Sequence, residues 1–251
     1  MSNKLVILMA GESKRFTEAG YNKKYFLPVS YKNRTYPMFI QTIRNIKNEF
    51  SKVKQKYFKE IVIAHNDNPF LIKYWLNKAN IKATLINVGK TNGSLETLLK
   101  VFGNEDKLND GYVVANVDQL FTFNNELNNV DKFNLDSKYF SLSFINNKEN
   151  DNKWCYVNFN NDNLITECKE KEKISNNANV GIYGFGYFFL GKIYTYFYLS
   201  EEKLDYCKFN NEYYIAPLLN ESYSYNVTVD KFYSLGTPED YEKNKDILLW
   251  L

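Results

Sequence analysis

The sequence predicts an α/β fold in which a mixed, mainly parallel central sheet is flanked by helices. Short apolar β-rich runs alternate with helical segments in the first half, whereas the second half is richer in strands. With 251 residues, of which 44% are hydrophobic and 17% aromatic, the chain has the size and composition of one α/β domain. We therefore predict a single domain over residues 1–251.

Four short apolar runs in the first half have the pattern of buried parallel strands. Polar residues or glycine bound each run, and the runs lie at residues 5–10, 61–64, 81–88 and 112–115. Three segments with apolar residues at three-to-four spacing separate them, at 38–47, 70–79 and 94–102. Asn68 and Pro69 supply an N-cap and a first-turn proline for the second segment. This βαβ order favours an open sheet with helices on both faces.

The second half is predicted to add antiparallel strands. Strand-like segments with few helices between them lie at 139–145, 155–160, 164–169 and 180–185. Thr237, followed by Pro238 and two acids, predicts the start of a final helix that runs to about Leu249. The Asn- and Lys-rich stretches at 124–134 and 146–153 are predicted to be surface loops.

Charge and hydropathy exclude several classes of partner. The 32 Lys and Arg residues nearly balance the 29 Asp and Glu residues, so we expect neither nucleic-acid binding nor attraction to an anionic membrane. The apolar run at 5–10 is too short for a signal-peptide core, and the aromatic stretch at 184–199 is interrupted by Lys192 and too short to span a membrane. We expect a cytoplasmic protein without a membrane span.

Cysteine and histidine are too sparse for most metal and hydrolase sites. Cys155, Cys168 and Cys207 are odd in number and form no CxxC pair, which argues against a disulfide framework and a zinc site. His65 is the single histidine, so a Ser-His-Asp hydrolase would have to be built around it.

The turn after the first strand is the first candidate site. It comprises Met9, Ala10, Gly11, Glu12 and Ser13. A glycine turn between a strand and a helix leaves backbone N–H groups free, and such groups bind anions. Arg15 in the following helix can reach a phosphate with two parallel hydrogen bonds. Taken alone, the segment is equally compatible with an ordinary βα turn.

The continuation of this turn resembles the signature of the nucleotidylyltransferases that activate sugar phosphates and related phosphorylated metabolites. In that family an A-G-x-x-x-R-F turn precedes P-K-x-L; here Ala10-Gly11, Arg15-Phe16 and Lys24 with Leu27 match. Lys23 replaces the family proline, so Lys23 and Lys24 both remain candidates for the functional lysine, with Lys24 at the matching position. The segment also resembles a branch found in bacterial capsule clusters.

Further segments match the same family in order along the chain. They are 93–97 (Gly-Ser-Leu-Glu-Thr), 112–118 (ending in Asp118), 170–171 with 179–183, 212–215 (Glu-Tyr-Tyr-Ile) and 235–241 (Leu-Gly-Thr-Pro-Glu-Asp-Tyr). Ser234 stands where many relatives have a second metal-binding aspartate, and Asp230 on the preceding strand is our substitute for it.

The resemblance implies a role for each matching residue. The implied catalytic residues are Arg15, Lys24 and Lys171; the nucleotide-binding residues are Met9, Ala10, Gly11, Glu12, Ser13, Gly93, Ser94 and Asn116; the acceptor-binding residues are Glu170, Gly181 and Glu212; and the Mg²⁺ ligands are Asp118 and Asp230. The alternative interpretations are a turn or capping role for Asp118, solvated strand-end charges for Glu170 and Lys171, and a helix N-terminal acid for Glu212.

The resemblance implies a Rossmann-like enzyme that transfers a nucleoside monophosphate to a phosphorylated small molecule and releases pyrophosphate. CTP is the expected donor, in capsule or surface polysaccharide biosynthesis, and phosphorylated glutamine is one acceptor of the capsule branch. The alternatives are a sugar-1-phosphate thymidylyltransferase and a non-catalytic nucleotide-binding regulator of the same fold. A metal-dependent glycosyltransferase is disfavoured because Asp118-Gln119-Leu120 is not a D-x-D motif.

Overall fold

The computed structural model describes residues 3–104, 110–123, 133, 135 and 139–246. The first half contains, in chain order, β1 (Asn3–Met9), α1 (Lys14–Glu18), β2 (Pro28–Tyr31), β3 (Arg34–Pro37), α2 (Met38–Val53), β4 (Phe58–His65), α3 (Pro69–Lys78), β5 (Thr84–Asn87), α4 (Ser94–Phe102), β6 (Gly111–Asn116) and β7 (Gln119–Thr122). The second half contains β8 (Tyr139–Ile145), β9 (Cys155–Phe159), β10 (Ile165–Glu170), β11 (Asn177–Gly186), α5 (Tyr187–Leu199), β12 (Lys208–Phe209), β13 (Glu212–Tyr213), β14 (Ser224–Thr228), β15 (Lys231–Ser234) and α6 (Pro238–Asn244). Short 3₁₀ helices occupy Lys24–Phe26, Glu201–Cys207 and Ala216–Glu221.

A central sheet joins both halves of the chain. Across the described residues it has nine strands, seven of them in the order β10, β9, β11, β6, β1, β4 and β5. The strands β5, β4, β1 and β6 are parallel, and β11 adds antiparallel to β6. On its other edge β11 pairs with β8 and β9, and β8 pairs in parallel with β14. The predicted mixed sheet, with a parallel part and antiparallel additions, is confirmed.

Helices cover both faces of this sheet, as the buried parallel strands require. Alternate residues of β1 point to opposite faces: Leu5 and Ile7 pack with α2 and α3, whereas Val6 and Leu8 pack with α4 and α5. A third, smaller cluster holds α1, β2, β7 and α6 together around Phe16 and Tyr241. That cluster fixes the turn after β1 against the last strand and helix of the described chain.

The predicted element boundaries hold with a few corrections. The N-caps are confirmed: the Asn68 and Thr237 side chains accept hydrogen bonds from the N–H groups of Phe70 and Asp240. The strand predicted at 81–88 is limited to β5, because the Ile81 N–H instead donates to the Leu76 carbonyl and closes α3. The final helix ends at Asn244, and residues 247–249 of its predicted span lie outside the described residues.

The predicted loops and the aromatic stretch have different outcomes. Residues 146–153 are irregular, as predicted, whereas most of the loop predicted at 124–134 lies outside the described residues. Most of the aromatic stretch at 184–199 forms α5, where the sequence analysis predicted no helix. None of the helices that the structure describes is both long and apolar enough to cross a membrane.

Candidate active site

A cleft opens where the chain leaves β1 and β6, at the carboxyl ends of two neighbouring parallel strands. Open α/β sheets commonly bind ligands at this position. Six of the residues predicted from the sequence line it: Arg15, Ser94, Asn116, Asp118, Glu170 and Gly181. The fold therefore brings residues from five separated segments of the chain to one place.

Asp118, which lines this cleft, forms an ion pair with Lys24. Asp118 follows β6 and Lys24 opens a 3₁₀ turn, and the distance from Lys24 Nζ to Asp118 Oδ2 is 2.5 Å. The Lys24 side chain is only 22% exposed and the Asp118 side chain only 16%. Burial by itself would raise the pKa of Asp118, but the Lys24 charge, with hydrogen bonding from Lys24 and Gln119, holds that pKa below its usual value. Asp118 is therefore a carboxylate at neutral pH and a competent ligand for a cation.

The two adjacent lysines point to different carboxylates. Lys23 Nζ lies 2.7 Å from Asp67 Oδ2, and the Tyr25 hydroxyl donates to the same oxygen at 3.0 Å. The structure thus places Lys24, and not Lys23, beside Asp118. Lys23 belongs to a separate polar cluster next to β4.

The turn after β1 differs from a glycine-rich phosphate loop. Ser13 has a left-handed backbone with φ of 57°, a conformation that glycine adopts more easily, and its Oγ accepts from the Lys24 N–H at 3.3 Å. Met9 and Ala10 are buried, whereas Gly11 and Glu12 are exposed. The Glu12 carboxylate contacts Lys14 at 3.2 Å and Lys90 at 3.5 Å. Helix α1 has only five residues. The positive charge that this segment places at the cleft is that of the Arg15 side chain.

The start of α4 packs against the ribbon that carries Glu212. Gly93 has φ of +105°, and a Cβ there would lie 2.4 Å from the Tyr213 carbonyl oxygen. The Tyr213 N–H also donates to the Asn92 carbonyl at 2.8 Å. Glycine is required at this position because backbone fills the space that a side chain would need. Ser94 and Glu212 are brought near each other as a result.

Lys171 and Glu212 meet through Tyr214, which lines the cleft together with Glu170. Lys171 Nζ lies 3.3 Å from the Tyr214 hydroxyl, which donates to Glu212 Oε2 at 2.9 Å. Burial raises the pKa of Glu170 to about 7; the neighbouring Glu212 adds to the rise, and Lys171 opposes it. Glu212 lies in the short strand β13 and is exposed, so the alternative of a helix N-terminal acid is wrong. Lys171, Tyr214 and Glu212 therefore form one connected group, and the charges of Lys171 and Glu212 act on Glu170.

Solved structures show what this arrangement resembles. A nucleoside-diphosphate-sugar pyrophosphorylase from Vibrio cholerae RC9 is 19% identical with a TM-score of 0.70, over 98% of this chain and 100% of that one. A protein from Bacillus anthracis assigned as a glucose-1-phosphate thymidylyltransferase is 20% identical with a TM-score of 0.73, over 100% and 96%. The inositol-1-phosphate CTP transferase from T. maritima is 11% identical with a TM-score of 0.66, over 95% and 91%.

The chain has the nucleotidyltransferase fold. Three enzymes with different nucleotides or acceptors in their names share it across nearly their whole lengths. No protein-family model matches the chain, and no curated protein matches it in sequence. The fold is thus established by structure, at sequence identities that leave the substrates open.

Within this nucleotidyltransferase fold, Asp230 does not lie at the cleft. It is exposed at the turn between β14 and β15, and its Oδ2 is 3.5 Å from the Thr122 hydroxyl. β15 pairs antiparallel with β7, with Lys231 opposite Thr122 and Ser234 opposite Gln119. Asp230 therefore lies at the Thr122 end of this two-stranded ribbon, and Asp118 lies at the other end. Asp118 and Asp230 are therefore not brought together as the sequence analysis expected.

Asp240 contacts this wall of the cleft through two residues that line it, Ser234 and Lys153. Its Oδ2 accepts from the Ser234 hydroxyl at 2.8 Å and from the Lys153 ammonium. Ser234 and Asp118 both approach Gly236, where a Cβ would lie 3.6 Å from the serine Oγ and 3.2 Å from Asp118 Oδ2. Ser234 thus occupies the sequence position at which a second acid was expected, and its hydroxyl donates a hydrogen bond to the Asp240 carboxylate on α6.

The donor set at Asp118 suits a cation that arrives with a polyphosphate. Among the residues that the structure describes, no group of three or more His, Cys, Asp or Glu side chains converges on a metal site. Mg²⁺ at phosphates is usually held by one or two carboxylates, the substrate oxygens and water. One ionised aspartate in an open cleft fits that mode of binding and does not fit a metal site built from protein ligands alone.

Several cleft residues were not among the predicted site residues. Gln119, Asn179, Lys153 and a set of aromatic residues line the cleft beside the predicted ones; the aromatic residues are Trp154, Tyr183, Tyr214 and Phe232. Asn179, Tyr183 and Tyr214 lie inside segments that carry the resemblance, and Gln119 follows Asp118 directly, so the motif matches could have indicated these four. Trp154 and Phe232 could not be separated by pattern from the many other aromatic residues in the chain.

Proposed function

We propose that this protein transfers a nucleoside monophosphate from a nucleoside triphosphate to a phosphorylated small-molecule acceptor and releases pyrophosphate. The observation that carries the proposal is the ion pair between Lys24 and Asp118, of which Asp118 lines, together with Arg15, a cleft of the nucleotidyltransferase fold. A cation site, a lysine and an arginine are the groups that phosphoryl chemistry requires.

The reaction needs no nucleophile from the protein. A phosphate oxygen of the acceptor attacks the α-phosphorus, a new P–O bond forms, and the bond to the β-phosphate oxygen breaks so that pyrophosphate leaves with its electron pair. Mg²⁺ bound with the triphosphate at Asp118 would supply charge neutralisation on the phosphate oxygens. Arg15 and Lys24 stabilise the negative charge that shifts to the transferring and leaving groups.

The acceptor site offers one cation and two acids. Lys171 pairs with the acceptor phosphate, and Glu170 and Glu212 accept hydrogen bonds from hydroxyl or ammonium groups. We propose CTP as the donor because of the resemblance to the capsule-cluster branch, with phosphorylated glutamine among the acceptors. The second candidate is dTTP with a sugar 1-phosphate, and the Bacillus anthracis neighbour supports it by its fold and assigned activity.

A screen for pyrophosphate release tests the proposal. Each common nucleoside triphosphate is incubated with Mg²⁺ and a panel of sugar 1-phosphates, phosphorylated amino acids and phosphorylated amino alcohols. We expect release with one nucleotide and one acceptor class, and no release in excess chelator. Nucleotide binding without release for any pair would contradict the enzyme and favour the non-catalytic regulator.

A further inference from the structure

Helix α3 is apolar on two opposite faces. Ile72 and Leu76 lie on one face and are buried in the core. Phe70, Leu71 and Tyr74 lie on the opposite face, as the helical repeat of 3.6 residues requires. Phe70 is 79% exposed, Tyr74 55% and Leu71 41%. Because the outer face of a surface helix is normally polar, an apolar outer face indicates a surface that another molecule covers.

The exposed side chains form one continuous surface, which we call the outer face of α3; it comprises Phe70, Leu71, Tyr74, Trp75 and Lys78. The Tyr74 and Trp75 rings pack edge to face with their centres 5.3 Å apart. Lys78 Nζ lies 5.0 Å from the centre of the Trp75 ring and 6.0 Å from that of Tyr74. Phe70 and Leu71 lie one helical turn before these two rings. The outer face of α3 is therefore an apolar surface that carries a cation.

The charged residues of α3 are all lysines. The helix contains Lys73 and Lys78 and no acidic residue, and the exposed Lys82 follows it. Asp67, which precedes the helix, is paired with Lys23 at 2.7 Å. The near balance of charge over the whole chain predicts no attraction to an anionic membrane, but it averages out this local excess of positive charge. An anionic surface is the electrostatic complement of α3.

We propose that the outer face of α3 binds the surface of an anionic lipid bilayer. Tyr and Trp rings favour the boundary between acyl chains and headgroups, because one end of each ring is apolar and the other end forms hydrogen bonds. Phe70 and Leu71 enter this boundary and the lysines meet anionic headgroups, as in helices that lie on a membrane without crossing it. A second copy of the chain fits less well, since a two-fold interface through this face would bring the lysines of both copies together. The inference does not depend on the proposed function.

Vesicle sedimentation with matched variants tests the proposal. The full chain is mixed with vesicles of phosphatidylcholine that contain about one third phosphatidylserine, and with vesicles of phosphatidylcholine alone. We expect binding to the anionic vesicles that weakens as salt is added, because salt screens the lysines. Phe70→Ser should weaken this binding about tenfold, whereas Phe188→Ser, which changes a 77% exposed phenylalanine on α5, should leave it within about twofold of wild type. No binding to the anionic vesicles, equal binding to the neutral vesicles, or equal weakening by both substitutions would overturn the proposal.

Two lysine variants test the charge of this face. Lys78 and Lys192 each lie over a tyrosine ring of their own helix, Lys78 at 6.0 Å from Tyr74 and Lys192 at 5.3 Å from Tyr196. Lys78→Gln should weaken binding to the anionic vesicles about fivefold, and Lys192→Gln on α5 should change it by less than about twofold. Equal effects of the two substitutions would show that the overall charge, and not α3, directs the binding, and would overturn the proposal.

Fluorescence and oligomeric state provide independent readouts. The emission of Trp75 should shift to shorter wavelength when anionic vesicles are added, and Trp75→Phe should abolish this shift. A shift that persists in Trp75→Phe would place the membrane contact elsewhere and overturn the proposal. Without lipid, wild type and Phe70→Ser should sediment as the same species. A wild-type dimer that Phe70→Ser converts to a monomer would assign the outer face of α3 to a second copy and would also overturn it.

Discussion

Glu170 is the residue whose protonation should control the acceptor site. Its pKa is raised to about 7 by burial, with Glu212 adding to the rise and Lys171 opposing it. We propose that the carboxylate form binds the acceptor, so kcat/KM for the acceptor should increase with pH through an inflection near pH 7. The inflection should vanish in Glu170→Gln. Its persistence in that variant would assign it to another group.

The same shift predicts a pH dependence of stability. Because the folded-state pKa lies above the unfolded value of 4.5, folding binds a proton between the two pKa values. The contribution of Glu170 to the free energy of unfolding is fully present below about pH 4.5 and is lost as pH rises through about 7. Urea unfolding of wild type and Glu170→Gln at pH 5 and pH 8 measures it, and equal pH dependence of the two proteins would contradict it.

Glu212 is expected to act on the acceptor rather than on folding. It is exposed in a two-residue strand, where its carboxylate accepts a hydrogen bond from the Tyr214 hydroxyl. Glu212→Ala should raise the acceptor KM or lower kcat while nucleotide affinity and Tm stay close to wild type. Kinetics for each substrate, measured beside the melting temperature, test this. A lowered Tm with unaltered acceptor kinetics would show a purely structural role.

Asp118 and Asp230 should respond differently to the same substitution. Asp118→Asn removes the carboxylate that we propose as the Mg²⁺ ligand, and it should reduce turnover more than nucleotide binding. Asp230→Asn changes an exposed residue at the far end of the β7–β15 ribbon and should leave turnover near wild type. Rates over a range of Mg²⁺ concentrations distinguish the two variants. Equal losses would return Asp230 to the metal site.

At the scale of elements, α2 holds the segment that carries Asp118. Thr42, Asn45 and Glu49 lie on one buried face and bond main-chain groups of this segment. The Thr42 hydroxyl donates to the Val117 carbonyl at 2.7 Å, Asn45 bonds both main-chain groups of Phe121, and Glu49 accepts from the Phe123 N–H at 2.7 Å. These three side chains form the hydrogen bonds to main-chain N–H and C=O groups that a neighbouring strand would otherwise form.

Asn45→Leu tests this role of α2. Two buried main-chain groups of β7 would lose their partner, which should lower the free energy of unfolding by about 2 kcal/mol or more. The variant should also lower kcat, because Asp118 and Gln119 depend on the same segment. Asn77→Leu on the exposed surface of α3 is the control and should affect neither quantity by much. A normal kcat in a destabilised Asn45→Leu protein would contradict the claim that α2 positions the site residues.

The elements that the sequence predicted are those with a clear apolar pattern. The parallel strands are continuous apolar runs, the helices α2, α3 and α4 have apolar residues at three-to-four spacing, and all of them form. The four-residue ribbons β2–β3 and β7–β15 are too short to show a period. The polar face of α2 was also not predicted, because Thr42, Asn45 and Glu49 are residue types expected at the surface. Helix α5 is aromatic around its circumference, which hides its amphipathic pattern.

At the scale of the whole molecule, the sheet decides which predicted residues meet. Lys24 and Asp118 are 94 positions apart, yet the order of strands puts the ends of β1 and β6 side by side. The motif matches identified these segments but not their contacts, and so Lys23 and Lys24 could not be distinguished. Asp240 was missed for a similar reason, since its link to the cleft passes through Ser234 and requires the packing of α6 on β15.

The most direct test of the account is a kinetic comparison of the two neighbouring lysines. For the nucleotide and acceptor pair that wild type converts, product formation is followed by mass and by pyrophosphate release in Lys24→Ala and Lys23→Ala. Lys24→Ala should lower kcat about 10²-fold or more, since it removes the preorganised charge that we propose acts on the transferring phosphate. Lys23→Ala, which removes a pair with Asp67 beside the cleft, should keep kcat near wild type. Full activity in Lys24→Ala, or the loss of activity in Lys23→Ala alone, would contradict the assignment of the Lys24–Asp118 cleft as the site of nucleotidyl transfer.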